Sequence, residues 1–261
     1  MTLLVLWDVD GTLVDADGLG TRMYEVVFRS MFGRELLTVA PKAGRTDRAI
    51  IGDTLVLAGV PDPSGWVDPF LAALSQYVAT LGAVTDSVIT GPSAATGPSA
   101  VTGPSAVTGP SAVTGLHGVV RALPGAAAAL AALAAPDGRA HQSVLTGNVR
   151  PLAEFKLRMA GLGSPLDFDA GAYGDAHEVR AELVDVARRA ASAVYGADFG
   201  GATTVLIGDT PLDVAAALAT GARAIGVATG SYSAADLADA GAHAVLPDLR
   251  DTTRLLAALS D

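Results

Sequence analysis

Apolar residues along this chain come in short, uninterrupted runs that stop at polar or glycine-containing turns: Leu3–Trp7, Ser143–Leu145, Thr204–Ile207, Ala224–Val227 and Ala244–Leu246. Runs this brief, without polar alternation, read as strands buried on both faces. Between them Gly125–Ala135, Pro151–Ala160, Val179–Val194, Leu212–Thr220 and Ala234–Ala240 carry helical patterns. Strands alternating with helices predict an α/β fold, a Rossmann-like doubly wound parallel sheet that binds ligands at the carboxyl ends of its strands. The stretch from about Leu19 to Leu81 breaks the alternation. It holds three helix-like segments, near Thr21–Met31, Asp47–Leu57 and Trp66–Thr80, with no strand between them. The expectation is an all-helical cap, residues 17–89, inserted into a core domain of residues 1–16 and 116–261, above the carboxyl end of the first strand.

From Thr90 to Gly115 the chain reads TGPSAA, then TGPSAV three times, then TG. A six-residue unit with Gly-Pro in every copy cannot maintain a helix, and it is too small and polar to bury itself. It reads as a low-complexity expansion forming a flexible linker where the insertion returns to the core. Loop-closure entropy grows slowly with length, so deleting most of it is expected to leave folding intact. A large loss of melting temperature or solubility would contradict this.

Composition narrows the function classes. Half the residues are hydrophobic and 17% are charged, enough for a packed core in a chain of 261 residues. The net charge of −10 repels phosphate backbones, and no basic patch offsets it, so no nucleic-acid partner is expected. There are no cysteines, which excludes disulfides, thiolate metal sites and a cysteine nucleophile. The longest small-apolar stretch, Ala126–Ala135, falls well short of the roughly 20 residues that span a bilayer. A soluble cytoplasmic protein without a membrane partner is the expectation.

Charge then appears at strand ends. In "LLVLWDVDGTLVD" a buried strand runs into Asp8, and Asp10 follows two positions later. Side chains alternate along an extended strand, so both carboxylates are expected on one side, where they share a proton or bind a cation. Gly11 permits a sharp turn and Thr12 can bond back across it. In "VLIGDTPLDV" another strand ends in Asp209, and Pro211 places Asp213 in the first turn of a helix. Hard oxygen ligands in this number select Mg²⁺. In "VLTGNV" a strand ends at Thr146, with Gly147 and Asn148 preceding a helix that begins near Arg150. A hydroxyl and backbone N–H groups at a helix N-terminus form a phosphate pocket, although the same residues serve as a plain N-cap.

Together these three segments resemble the motifs of the haloacid dehalogenase-like hydrolase superfamily, in the branch close to phosphoglycolate phosphatases. DVDGTLVD is similar to its first motif, TGN to its second and GDTPLD to its fourth. The resemblance implies a Mg²⁺-dependent phosphatase acting on a small phosphorylated metabolite. Asp8 would be the nucleophile, and Asp10 the acid and base. Asp8, the Asp10 carbonyl and Asp209 would hold the metal, with Asp213 beside it, and Thr146, Gly147 and Asn148 would bind the phosphoryl group. The family's basic residue falls on Arg180 or on Lys156. Arg180 opens the helix before the fourth motif and is favoured, whereas Lys156 reads as a solvated helix face; the choice stays open. The insertion is similar to the family's helical cap. In it Arg45 is expected to reach the leaving group, with Arg22, Tyr24 and Asp47 as further possibilities.

Competing readings remain at this point. A dehalogenase of the superfamily typically lacks the second aspartate, so Asp10 argues against one. A phosphomutase would use the same carboxylates. A response-regulator receiver uses strand-end aspartates too, but its acidic pair is adjacent and its length is about half. A binding protein that lost catalysis is disfavoured by the complete carboxylate set. Monomer and homodimer are both compatible with the sequence.

Overall fold

A computed structural model of the chain describes residues 2–90, 120–134 and 140–260. The TGPSAV repeat of residues 91–115 lies outside them. Strand β1 (Leu3–Trp7) leads through β2 (Val14–Asp15) into the cap helices α1 (Leu19–Phe32), α2 (Asp47–Leu57) and α3 (Pro63–Thr90). The core resumes at β3 (Arg121–Ala122). It continues through α4 (Ala126–Leu133), β4 (Ala140–Val144), α5 (Arg150–Met159), α6 (Arg180–Tyr195), β5 (Thr204–Gly208) and α7 (Pro211–Ala219). The last elements are β6 (Arg223–Val227), α8 (Ala234–Asp239), β7 (Ala244–Leu246) and α9 (Thr252–Ser260).

Five strands form one parallel sheet in the order β4-β1-β5-β6-β7. The central strand β1 alternates its side chains between two cores. Val5 and Trp7 join Leu130, Leu152 and Phe155 on one face, and that core continues into Tyr24, Phe28 and Phe70 of the cap. Leu4 and Leu6 join Leu183, Val184 and Ala187 of α6 and Val214 of α7 on the other. Burial on both faces explains why the strands read as continuous apolar runs.

The alternating α/β reading holds, and the differences lie at short or interrupted elements. Two-residue strands β2 and β3 pair antiparallel, Val14 opposite Ala122 and Asp15 opposite Arg121, and this ribbon joins the cap to the core. An ion pair between Arg121 and Asp15 adds to it. Helix α3 extends beyond the predicted Thr80 to Thr90 and contains Pro69. Helix α9 covers a segment to which the sequence pattern assigned no element. Among the described residues no helix is long and apolar enough to cross a membrane.

Candidate active site

The carboxyl ends of β1, β4 and β5 meet beneath the cap. Asp8 follows β1 directly, its backbone N–H donating to the Ile207 carbonyl of β5 at 2.8 Å. At Gly11 the chain turns with φ +83°, and a Cβ there would run into the Asp209 carboxylate, so conformation and space both require glycine. Thr12 does not bond back across its own turn as expected; its hydroxyl donates to Asp209 Oδ1 at 3.1 Å, linking the two strand ends.

The two first-motif carboxylates take different partners. Both line one cavity, although β1 ends at Trp7, before either residue, so strand alternation is not what places them. Asp8 Oδ1 accepts from Arg180 Nη2 at 2.7 Å, and the same nitrogen reaches Asp213 Oδ1 at 2.6 Å and the Leu145 carbonyl at 3.1 Å. Asp10 Oδ2 accepts instead from Lys156 Nζ at 2.6 Å and Asn148 Nδ2 at 2.7 Å. Arg180 thus occupies the basic position beside Asp8. Lys156 is not on a solvated face, as its sequence position implied: only 3% of its side chain is exposed, and it also bonds Asn148 Oδ1 at 2.8 Å.

Helix α7 fixes the remaining acids. Thr210 caps it, accepting from Asp213 N at 3.3 Å, while Asp213 Oδ2 accepts from the Thr210 hydroxyl at 2.7 Å and its N–H at 3.1 Å. One oxygen of Asp213 is therefore held by Arg180 and the other by Thr210. Asp8, Asp209 and Asp213 are buried and bring carboxylate oxygens within 4.8 Å of one another. Burial, opposed by Arg180 but reinforced by Asp213, pushes the Asp8 carboxyl up to about 7. Burial with repulsion from Asp8 and Asp213 pushes Asp209 up to about 8. Burial would also raise Asp10, but the Lys156 charge and hydrogen bond, helped by Asn148, hold it below the ordinary value.

Three carboxylates facing one guanidinium leave an excess of negative charge that a hard divalent cation such as Mg²⁺ would neutralise, and the all-oxygen donor set suits it. Asp213 is already bonded through both oxygens. Asp8 and Asp209 are the side chains best placed to hold a cation directly.

The loop from Thr146 to Asn148 forms the opposite wall. Thr146 Oγ1 accepts from Asn148 Nδ2 at 2.9 Å and from its N–H at 3.3 Å, and among the described residues its own proton is donated to no one. The cap rests directly on this loop. Asp47 N–H donates to the Gly147 carbonyl at 2.6 Å, and a Cβ on Gly147 would strike the Arg45 carbonyl. Asp47 Oδ2 accepts from Val149 N at 2.8 Å and Oδ1 from the Tyr24 hydroxyl at 2.5 Å. A cap carboxylate thereby supplies the N-terminal cap that helix α5 lacks locally. Burial pushes the Asp47 carboxyl up to about 6, although both hydrogen bonds oppose the shift.

A cavity of about 480 Å³ separates cap and core. Asp8, Asp10, Thr146, Gly147, Asn148, Arg180 and Asp209 line it, with Asp213 behind them; Tyr24, Lys42, Arg45 and Asp47 line it from the cap. Arg45 belongs to the wall, but its guanidinium turns to Asp53 at 2.6 Å and the Pro41 carbonyl at 3.0 Å. Arg22 is exposed outside the lining. Sequence reasoning missed Lys42, Thr210 and the placement of Lys156. A signal for the last was present: Lys156 continues the buried Leu152–Ala153 stripe of α5, one turn on.

Comparison with known proteins bears on these residues. A family model described as HAD-hydrolase-like matches residues 182–252, which include Asp209 and Asp213. A search of curated proteins returned no match. Among solved structures, the chain is similar to a hydrolase from Pseudomonas syringae, with TM-score 0.59 and 18% identity over the whole of both chains. It is also similar to a predicted phosphatase from Clostridium acetobutylicum, with TM-score 0.58 and 18% identity over 98% of this chain and 99% of the other. A candidate β-phosphoglucomutase from Bacteroides vulgatus aligns with TM-score 0.56 and 15% identity over 99% of this chain and 89% of the other. The chain is thus similar to haloacid dehalogenase-like hydrolases in its family match over residues 182–252, and it shares the fold of these solved structures.

Proposed function

We propose that the protein is a Mg²⁺-dependent phosphatase that hydrolyses small phosphomonoesters through an aspartyl-phosphate. The observation that carries the reading is the division of labour between the first-motif carboxylates: Asp8 faces Arg180 and the Asp209–Asp213 cluster, while Asp10 stands apart on Lys156 and Asn148. One is set in a cation-binding cluster and the other is set to exchange protons with the leaving group.

A cation held by Asp8 and Asp209 would neutralise the phosphoryl group and let an anionic nucleophile approach it. Arg180 orients Asp8 through Oδ1 and leaves Oδ2 with no donor among the described residues, so Oδ2 is the attacking oxygen. Its lone pair forms the new P–O bond as the ester P–O bond breaks, and the departing oxygen takes a proton passed through Asp10 from the Lys156 ammonium bonded to it at 2.6 Å. Asp10 then accepts a proton from the water that attacks phosphorus, breaking the Asp8–phosphate bond and releasing inorganic phosphate. Thr146 has a proton to donate to a phosphoryl oxygen. Arg180 Nε, buried without a partner, is a second donor that such an oxygen would satisfy.

The test is phosphate release from a panel of phosphomonoesters, with and without Mg²⁺, for the wild type and Asp8→Asn. Mg²⁺-dependent release in the wild type, reduced at least about a thousandfold in the variant, is expected because Asn cannot form the acyl phosphate. Release that persists in Asp8→Asn would overturn the covalent route. A phosphorylated chain that transfers to a sugar hydroxyl faster than to water would make the protein a phosphomutase.

A further inference from the structure

The chain has two lysines, Lys42 and Lys156, against a majority of arginines among its 17 basic residues, and both line the active-site cavity. They approach the same turn of the cap. Lys156 Nζ lies 4.0 Å from where a Cβ on Gly20 would stand, and Lys42 Nζ donates to the hydroxyl of the adjacent Thr21. Their situations differ. Lys156 is neutralised by Asp10, whereas Lys42, on the cap loop before α2, has no carboxylate within ion-pair distance among the described residues. On the same loop Arg45 pairs with Asp53, and Lys156 across the cavity pairs with Asp10. Two ammonium groups at one end of a cavity repel each other. Burial and the Lys156 charge hold Lys42 below its ordinary pKa, so the arrangement carries an electrostatic cost when no anion is present.

We propose that Lys42, backed by Lys156, binds a second anionic group on the leaving-group side of the substrate, making the preferred substrates phosphomonoesters whose alcohol carries a carboxylate or another phosphate. This rests on the phosphatase reading for the position of the first phosphate. Asp8, Arg180 and Thr146 receive the phosphoryl group at the floor, Asp10 meets the bridging oxygen, and the ammonium of Lys42 lies beyond it on the cap. A cavity of about 480 Å³ admits a small, doubly charged molecule. Arg45, the cation expected to fill this role, is occupied by Asp53, which leaves Lys42 as the uncommitted charge on the same loop.

A three-carbon series tests the proposal: glycerol 1-phosphate, 3-phosphoglycerate and propanediol bisphosphate. Their affinities for Asp8→Asn in Mg²⁺, read by calorimetry, would be compared with kcat/KM in the nucleophile-intact chain. Anionic members should bind at least about tenfold more tightly than glycerol 1-phosphate, and the better of the two identifies the group as carboxylate or phosphate. Adding Lys42→Gln should collapse that ratio towards one, whereas Lys42→Arg should retain most of it. A ratio unchanged by Lys42→Gln, or an equal loss for all three compounds, would overturn the proposal. Anion-selective binding without any turnover would sustain this site while sinking the phosphatase reading.

Discussion

Arg180 touches two carboxylates through a single nitrogen, and both it and its partners are buried. Removing one member of a buried ion pair commonly costs about 3–5 kcal/mol because the remaining charges lose their compensation. Arg180→Met is therefore expected to lower the unfolding free energy by about that amount, and added Mg²⁺ should recover part of it; denaturant titrations with and without the metal measure both effects. Asp47 makes a prediction about pH. Its folded-state pKa of about 6 lies above the ordinary 3.8, so the folded chain binds more protons than the unfolded chain between those values. Stability from this group falls as pH rises through that window. The wild-type minus Asp47→Asn difference in unfolding free energy should therefore decline from pH 4 to 6 and level off above 7; a pH-independent difference would refute the assignment. At this scale the sequence exposed acids at strand ends well, since charge directly after an apolar run has few structural uses. It exposed Lys156 poorly, because a lysine inside an amphipathic helix looks solvated until the tertiary partner of its face is known.

Where α2 begins, the cap meets the Thr146–Asn148 loop through backbone groups at van der Waals distance. Gly147→Ala would press a methyl group into the Arg45 carbonyl and push these elements apart. The expected result is a loss of about 1–3 kcal/mol and a disproportionate fall in phosphate release, since the same loop carries Thr146. Normal activity in a destabilised variant would mean that cap and loop act independently. Elements with several residues of clear periodicity were legible: the five sheet strands and most helices lie within a few residues of their predicted bounds. The ribbon of β2 and β3 was not, since two residues per strand carry no period and its partners are far apart in sequence. Helix α3 runs past the predicted Thr80 because Gly82 sits inside it without ending it and no proline follows before Thr90. The placement of Arg180 was legible from its position at the start of a helix before the fourth-motif strand.

For the molecule as a whole, the carboxylates proposed to hold the cation are buried in the fold. Cation binding at Asp8 and Asp209 should stabilise the native state by RT ln(1 + [Mg²⁺]/Kd), about 2.7 kcal/mol at a hundred times Kd. Melting temperature should rise with Mg²⁺ in the wild type and barely respond in Asp209→Asn; equal shifts would point to non-specific screening of the −10 charge. The near absence of lysine has another consequence. Apart from any α-amino group, the chain has two acylatable nitrogens. Lys156 is sealed against Asp10, while Lys42 is exposed and lines the cavity. An amine-selective reagent will therefore modify essentially one side chain. The rate at which intact mass increases by a single adduct should fall when an anion occupies the cavity that Lys42 lines.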